Sequence, residues 1–126
     1  MDEQLIEKVM SEAGYSREAA IIVIRQMDER LITKVMNEMK CNRERAIIVS
    51  SKLEKFDPLL KEVIDSWKND KEIYFEYKGI SMTDVMEKQN CRYFEAIIIM
   101  WALISNAELA DKYSELRFSH SHLKKV

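Results

Sequence analysis

Two apolar words recur along this chain, about ten residues apart in each copy, and that recurrence constrains the fold more than any other feature. The first word reads LIEKVM from Leu5, LITKVM from Leu31 and SMTDVM from Ser81, with LLKEVI from Leu59 as a more distant relative. Aligned on Val9, Val35, Val63 and Val85, the copies are spaced by 26, 28 and 22 residues. The second word follows at a constant offset in three of them: AIIV from Ala20, AIIV from Ala46 and AIII from Ala96. Arg17 and Arg43 share an offset, Arg92 falls one place early, and Tyr15, Cys41 and Cys91 share another. Agreement at several separate positions marks an internal duplication.

Each copy reads as two short helices. In the first, Leu5, Ile6, Val9, Met10 and Ala13 recur at helical spacing. A break follows, with Gly14 as the stop and Ser16 as the cap of the next helix; Asn42 is the corresponding cap one copy later. The second helix is apolar nearly all round over Ala19–Ile24. This predicts a central position with neighbours on more than one side. Asp28 is placed to cap a helix from Glu29, Asp57 with Pro58 to start one over LLKEVIDSW, and Asn106 to cap a last one over AELADKYSELRF. One stretch departs from the pattern. In KEIYFEYKGIS, Ile73, Phe75 and Tyr77 alternate with Tyr74, Glu76 and Lys78, which is strand periodicity. It stands where the third copy should have its second helix.

The expected fold is therefore all-α: about seven or eight short helices in helix-turn-helix units, with one extended or β segment near 72–79. The expected organisation is a single domain over 1–118 built of four degenerate units, 5–27, 31–54, 59–79 and 81–105, with 119–126 as a tail. One two-helix unit cannot bury its own apolar face, so the units must stack. Two glycines and one proline are too few for a protein of sheets and tight turns.

Charge narrows the function. Residues 1–56 carry ten basic and ten acidic side chains, and residues 57–126 carry ten and twelve. No segment is basic enough to form the electrostatic footprint of nucleic-acid binding. No apolar run reaches the ~18 residues of a membrane span. The acidic start MDEQLIEKV lacks the basic and apolar regions of a signal peptide. Cys41 and Cys91 are too few for a disulfide scaffold and read as reduced thiols of a cytoplasmic protein.

The break in VMSEAGYSREAAIIVI resembles the helix-turn-helix of DNA-binding regulators, with Gly14 in the turn and Ser16 as cap. That resemblance implies a recognition helix presenting polar side chains to base edges and phosphates. Ile21, Ile22, Ile97 and Ile98 fall where those side chains belong, so burial accounts for them better. The second copy is the exception, since Arg43, Arg45, Ser50 and Lys52 can share a face; Arg43, Arg45 and Lys52 are the nucleic-acid alternative. The stretch 5–39 also resembles a ubiquitin-associated three-helix domain, with Ala13-Gly14-Tyr15 as its glycine-aromatic loop and REAAIIVI as its second helix. The later copies have MKC and QNC there, with neither glycine nor aromatic. Neither resemblance extends over the whole chain.

Chemistry is sparse. His120 and His122 are the only histidines and form a His-x-His pair near the C-terminus, short of the three or four ligands a metal site needs. Cys41 and Cys91 precede helices, but their common offset with Tyr15 points to a packing slot. No carboxylate pair is privileged, and two glycines leave no phosphate-binding loop. The expectation is no enzyme, no cofactor and no metal. Met27, Met36, Met39, Met82, Met86 and Met100 lie in or beside the apolar pattern and read mainly as core filling. Aromatics crowd the second half. Trp67, Tyr74, Glu76, Tyr77 and Tyr93 are the candidate partner-binding residues. The function expected is a protein-binding module, an adaptor, inhibitor or regulator, with homo-oligomerisation possible through shared apolar surface.

Overall fold

In the computed structural model, which describes residues 2–55, 58–106 and 108, contacts divide the chain into two units, residues 1–56 and 57–126. Unit one holds α1 (Glu3–Ala13), α2 (Arg17–Gln26), α3 (Glu29–Met39) and α4 (Arg43–Leu53). Unit two holds α5 (Pro58–Lys68), β1 (Glu76–Tyr77), β2 (Ile80–Ser81), α6 (Met82–Gln89) and α7 (Tyr93–Ser105). The fold is all-α with one two-stranded antiparallel sheet.

The duplicated words mark equivalent places. Val9, Val35, Val63 and Val85 are all fully buried, as are Ala20, Ala46 and Ala96. Valine fills the centre of each first helix. Alanine is small enough to let the second helix approach closely. The breaks match as well: Gly14, Lys40 and Asn90 each take the left-handed conformation, with φ of 75°, 54° and 50°. Each donates its backbone N–H to a methionine carbonyl four residues back, on Met10, Met36 and Met86. That bond ties off one of the carbonyls a helix end leaves unpaired. Only the first copy uses glycine for it.

The helix starts are capped as their sequences dictate. Ser16 accepts from the Ala19 N–H, Asn42 from Arg45 and Asp28 from Arg30. Asp2 caps α1 through the Gln4 N–H, and Ser81 forms a reciprocal capping box with Asp84. Arg92 occupies the cap position of α7, but its side chain does not cap the helix. Asp57 and the helix expected after Asn106 lie outside the described residues; Asn106 itself ends α7, bonding back to the Ala102 carbonyl.

Within unit one α4 is central, packed against α1, α2 and α3. Seven of its residues are buried, including Ile47, Ile48 and Val49, so the expectation of a helix enclosed on several sides holds there. It does not hold for α2, where only Ala20 is buried and Ile22 is 53% exposed. The sequences of the two helices are alike, but α4 is flanked by the first helices of both copies and α2 is not. Unit two repeats part of this plan. There α7 packs on α6 from its own copy and on α5 from the copy before, as α4 packs on α3 and α1.

Candidate functional site

The third copy lacks a second helix and carries a hairpin instead. The chain leaves α5 through Asp70, held left-handed at φ 63°, with the Asp70 N–H on the Trp67 carbonyl and the Lys71 N–H on that of Ser66. Residues 71–75 run without regular structure, and β1 and β2 then pair Glu76 with Ser81 and Tyr77 with Ile80. Lys78 and Gly79 make the turn with φ of 50° and 80°, positive at both central positions as a two-residue hairpin turn with the twist of its strands requires. The Met82 N–H donates to the Phe75 carbonyl at 3.0 Å, so α6 starts directly off the hairpin. The extended or β segment expected near 72–79 is present, with regular pairing confined to Glu76–Tyr77 and its partner Ile80–Ser81 at the boundary of the fourth copy.

The alternation read from the sequence nevertheless describes the segment. Ile73, Phe75 and Tyr77 are half-buried, whereas Tyr74, Glu76 and Lys78 are exposed. Ile80 is fully buried and Ser81 and Met82 nearly so, which roots the second strand in the core of unit two. The outward face is small and polar-aromatic. Tyr74 is 70% exposed, and its hydroxyl donates to Glu76 Oε2 at 2.5 Å. That hydrogen bond, together with some desolvation and the Glu76 charge, holds the Tyr74 phenol above its ordinary range. The Lys78 ammonium sits 5.6 Å from the centre of the Tyr77 ring.

The five aromatic and acidic candidates therefore separate into two groups. Tyr74, Glu76 and Tyr77 come together on the hairpin. Trp67 and Tyr93 are buried instead and serve the fold. Trp67 stacks on Phe94 with ring centroids 5.1 Å apart. The Tyr93 hydroxyl donates to the Ile73 carbonyl at 3.0 Å, pinning the extended segment from behind, and burial holds its phenol above the ordinary range. Large rings at the ends of a small core are drawn inward because each removes much apolar area from water.

The cationic candidates are all matched with carboxylates. Arg43 makes a two-pronged pair with Glu29, Arg45 donates to Glu12 at 2.6 Å, and Lys52 lies 3.9 Å from the same Glu12. Ser50, expected on that face, is fully buried in α4. Phosphate contact at these three cations would exchange existing intramolecular partners. The spacing that carries one of these pairs recurs: Glu3 pairs with Arg17 as Glu29 pairs with Arg43, over 14 residues in both cases. The repeated arginine is visible in the aligned copies, and the repeated glutamate 14 residues before it was the signal to look for. In the fourth copy the arginine position is Tyr93.

Tyr15, Cys41 and Cys91 all sit half-buried at the break. The Tyr15 hydroxyl donates to the Ser51 carbonyl at 2.7 Å, and the Lys55 ammonium lies over its ring. Burial, with Glu95 nearby, pushes the Cys91 thiol up, away from the thiolate a nucleophile needs. Of the methionines, Met82 and Met100 are buried and Met39 is exposed. Among the described residues no group of three or more His, Cys, Asp or Glu side chains is placed to hold a metal ion, and no helix is long and apolar enough to cross a membrane. His120 and His122 lie outside the described residues.

No protein-family model, no curated protein and no solved structure matches this chain.

Proposed function

We propose that this chain is a non-enzymatic protein-binding module, an adaptor or inhibitor, and that it meets its partner with the hairpin of unit two. The observation carrying this reading is Tyr74. Among the described residues it is the most exposed large apolar or aromatic side chain, at 70%, and it stands on the third copy, where a hairpin replaces the second helix. Tyrosine combines a large apolar ring with a polar tip and loses little side-chain entropy when fixed, which suits it to a contact surface. Glu76 and Tyr77 extend the surface, and Tyr93 and the capping box of Ser81 hold it in place from behind.

The test is comparative capture from cells with the wild-type chain and the Tyr74→Ala, Tyr77→Ala double variant. Both replaced side chains lie at least partly outside the core, so the variant keeps its helical circular-dichroism spectrum. A partner recovered by the wild type and lost by the variant supports the reading. Recovery of the same partners by both chains removes the hairpin from the contact. Trp67 and Tyr93 are unsuitable probes, since replacing either damages the core.

A further inference from the structure

Glu18, Ile22 and Arg25 recur on α2 at i, i+4 and i+7, which places them on one stripe. Ala20, on the opposite side, is fully buried. Ile22 is 53% exposed at the middle of the stripe, with Ile21 and Val23 half-buried beside it. The equivalent residue on α4, Ile48, is 2% exposed, and that on α7, Ile98, is 39% exposed. What distinguishes α2 is the pair of flanking charges. At the same positions α7 has Phe94 and Trp101.

Those charges lack partners where their neighbours have them. Lys8, Arg17, Arg43 and Arg45 all form ion pairs within unit one. Glu18 and Arg25 are exposed, and neither side chain makes a hydrogen bond or ion pair among the described residues. A carboxylate, an apolar centre and a guanidinium in that order are complementary to the same stripe running the other way. In an antiparallel pair, Ile21 of one helix faces Ile22 of the other, and Glu18 faces Arg25 at both ends. A parallel pair would set Glu18 on Glu18 and Arg25 on Arg25, which like-charge repulsion disfavours.

We propose that α2 is a self-association surface, through which two copies of this chain pair antiparallel about a two-fold axis between their Ile21 and Ile22 residues. The occupant is a second copy because the charge pattern is complementary to itself, as an isologous contact requires. A helix of ten residues is about 15 Å long, so the contact is small and the pairing weak and concentration-dependent. The stripe shares no residue with the hairpin, and the Tyr74→Ala, Tyr77→Ala variant leaves the pairing intact.

The test is sedimentation equilibrium of the full chain over a concentration series reaching about 500 μM, high because so small a contact pairs weakly. The wild type gains mass with concentration. Glu18→Arg and Arg25→Glu each weaken association at least ~10-fold, since each puts like charges at both ends of the contact. An equimolar mixture of the two variants recovers it, because one chain then carries two arginines and the other two glutamates. Recovery on mixing also shows that neither variant had failed to fold. Ile22→Lys abolishes pairing, and Ile98→Glu on α7 leaves it unchanged. A wild type that keeps the monomer mass throughout overturns the proposal. So do single charge variants that associate like the wild type, a mixture that fails to recover, and a loss of pairing in Ile98→Glu.

Discussion

Ser50 and Ser51 stand side by side in the buried helix α4, and their hydroxyls fare differently. Ser51 Oγ donates to the Ile47 carbonyl at 2.8 Å, whereas Ser50 Oγ is buried without a hydrogen-bond partner. An unpaired buried hydroxyl costs about 1–3 kcal/mol, and alanine also favours the helix. Ser50→Ala is therefore expected to raise stability by roughly 1 kcal/mol in urea unfolding, and Ser51→Ala to change it little. A drop in the denaturation midpoint of Ser50→Ala would contradict the structure at that atom. The left-handed breaks give a second residue-scale contrast. Lys40 adopts φ 54° at a place where Gly14 adopts 75°. Left-handed backbone costs an L-residue about 1–2 kcal/mol, so Lys40→Gly stabilises and Gly14→Ala destabilises, each by about 1 kcal/mol. The alanine methyl at position 14 would also come within 3.1 Å of the Lys55 ammonium, whose bond to the Gly14 carbonyl it disturbs. Gly14 was legible as a helix stop because glycine favours that geometry. Lys40 and Asn90 were not, because neither identity demands it; only their alignment with Gly14 reveals it.

Among elements, the pairs Glu3–Arg17 and Glu29–Arg43 each join the first and second helices of one copy, and Arg45–Glu12 joins α4 to α1. In each pair the arginine hydrogen bond is the main reason the carboxyl sits below its ordinary range. A carboxyl with a lowered folded-state value contributes stability above its unfolded value and loses it as pH falls through the folded one. Unit one is expected to lose stability progressively below the ordinary carboxylate range, and Glu3→Gln with Glu29→Gln to flatten that slope. All three pairs are solvent-exposed, so added salt reduces the effect too. Urea midpoints at several pH values, with and without salt, check both statements. The helices themselves were legible from periodicity and caps because each signal is local. The exposure of α2 was not, because its run Ala19–Ile24 looks like that of α4 and only the flanking elements differ. The hairpin was half legible: alternation marked Ile73, Phe75 and Tyr77, but β2 is two residues long, too short to show a period. The burial of Trp67 and Tyr93 beside the exposure of Tyr74 depends on packing that composition does not encode.

At the scale of the molecule, four aligned copies resolve into two units, each with its own buried set. Leu5, Ile6, Val9, Leu31, Ile32, Val35, Ile48 and Leu53 serve the first; Leu60, Val63, Ile80, Val85, Ile97, Met100 and Leu103 serve the second. Residues 1–56 expressed alone are expected to fold into helices with cooperative unfolding. A fragment without a thermal transition would show that its core needs the other half. Domains this short are marginal, so the fragment should also be less stable than the full chain. The helical breaks also set the order in which unit one folds. Each break lets its two helices meet over short distances along the chain, with Glu3 reaching Arg17 and Glu29 reaching Arg43. Loops of that length close in well under a microsecond. Lys8 to Glu44 and Tyr15 to Ser51 each span 36 residues. Corners thus form and dissolve many times before α1 finds α4, and that encounter sets the folding time of unit one.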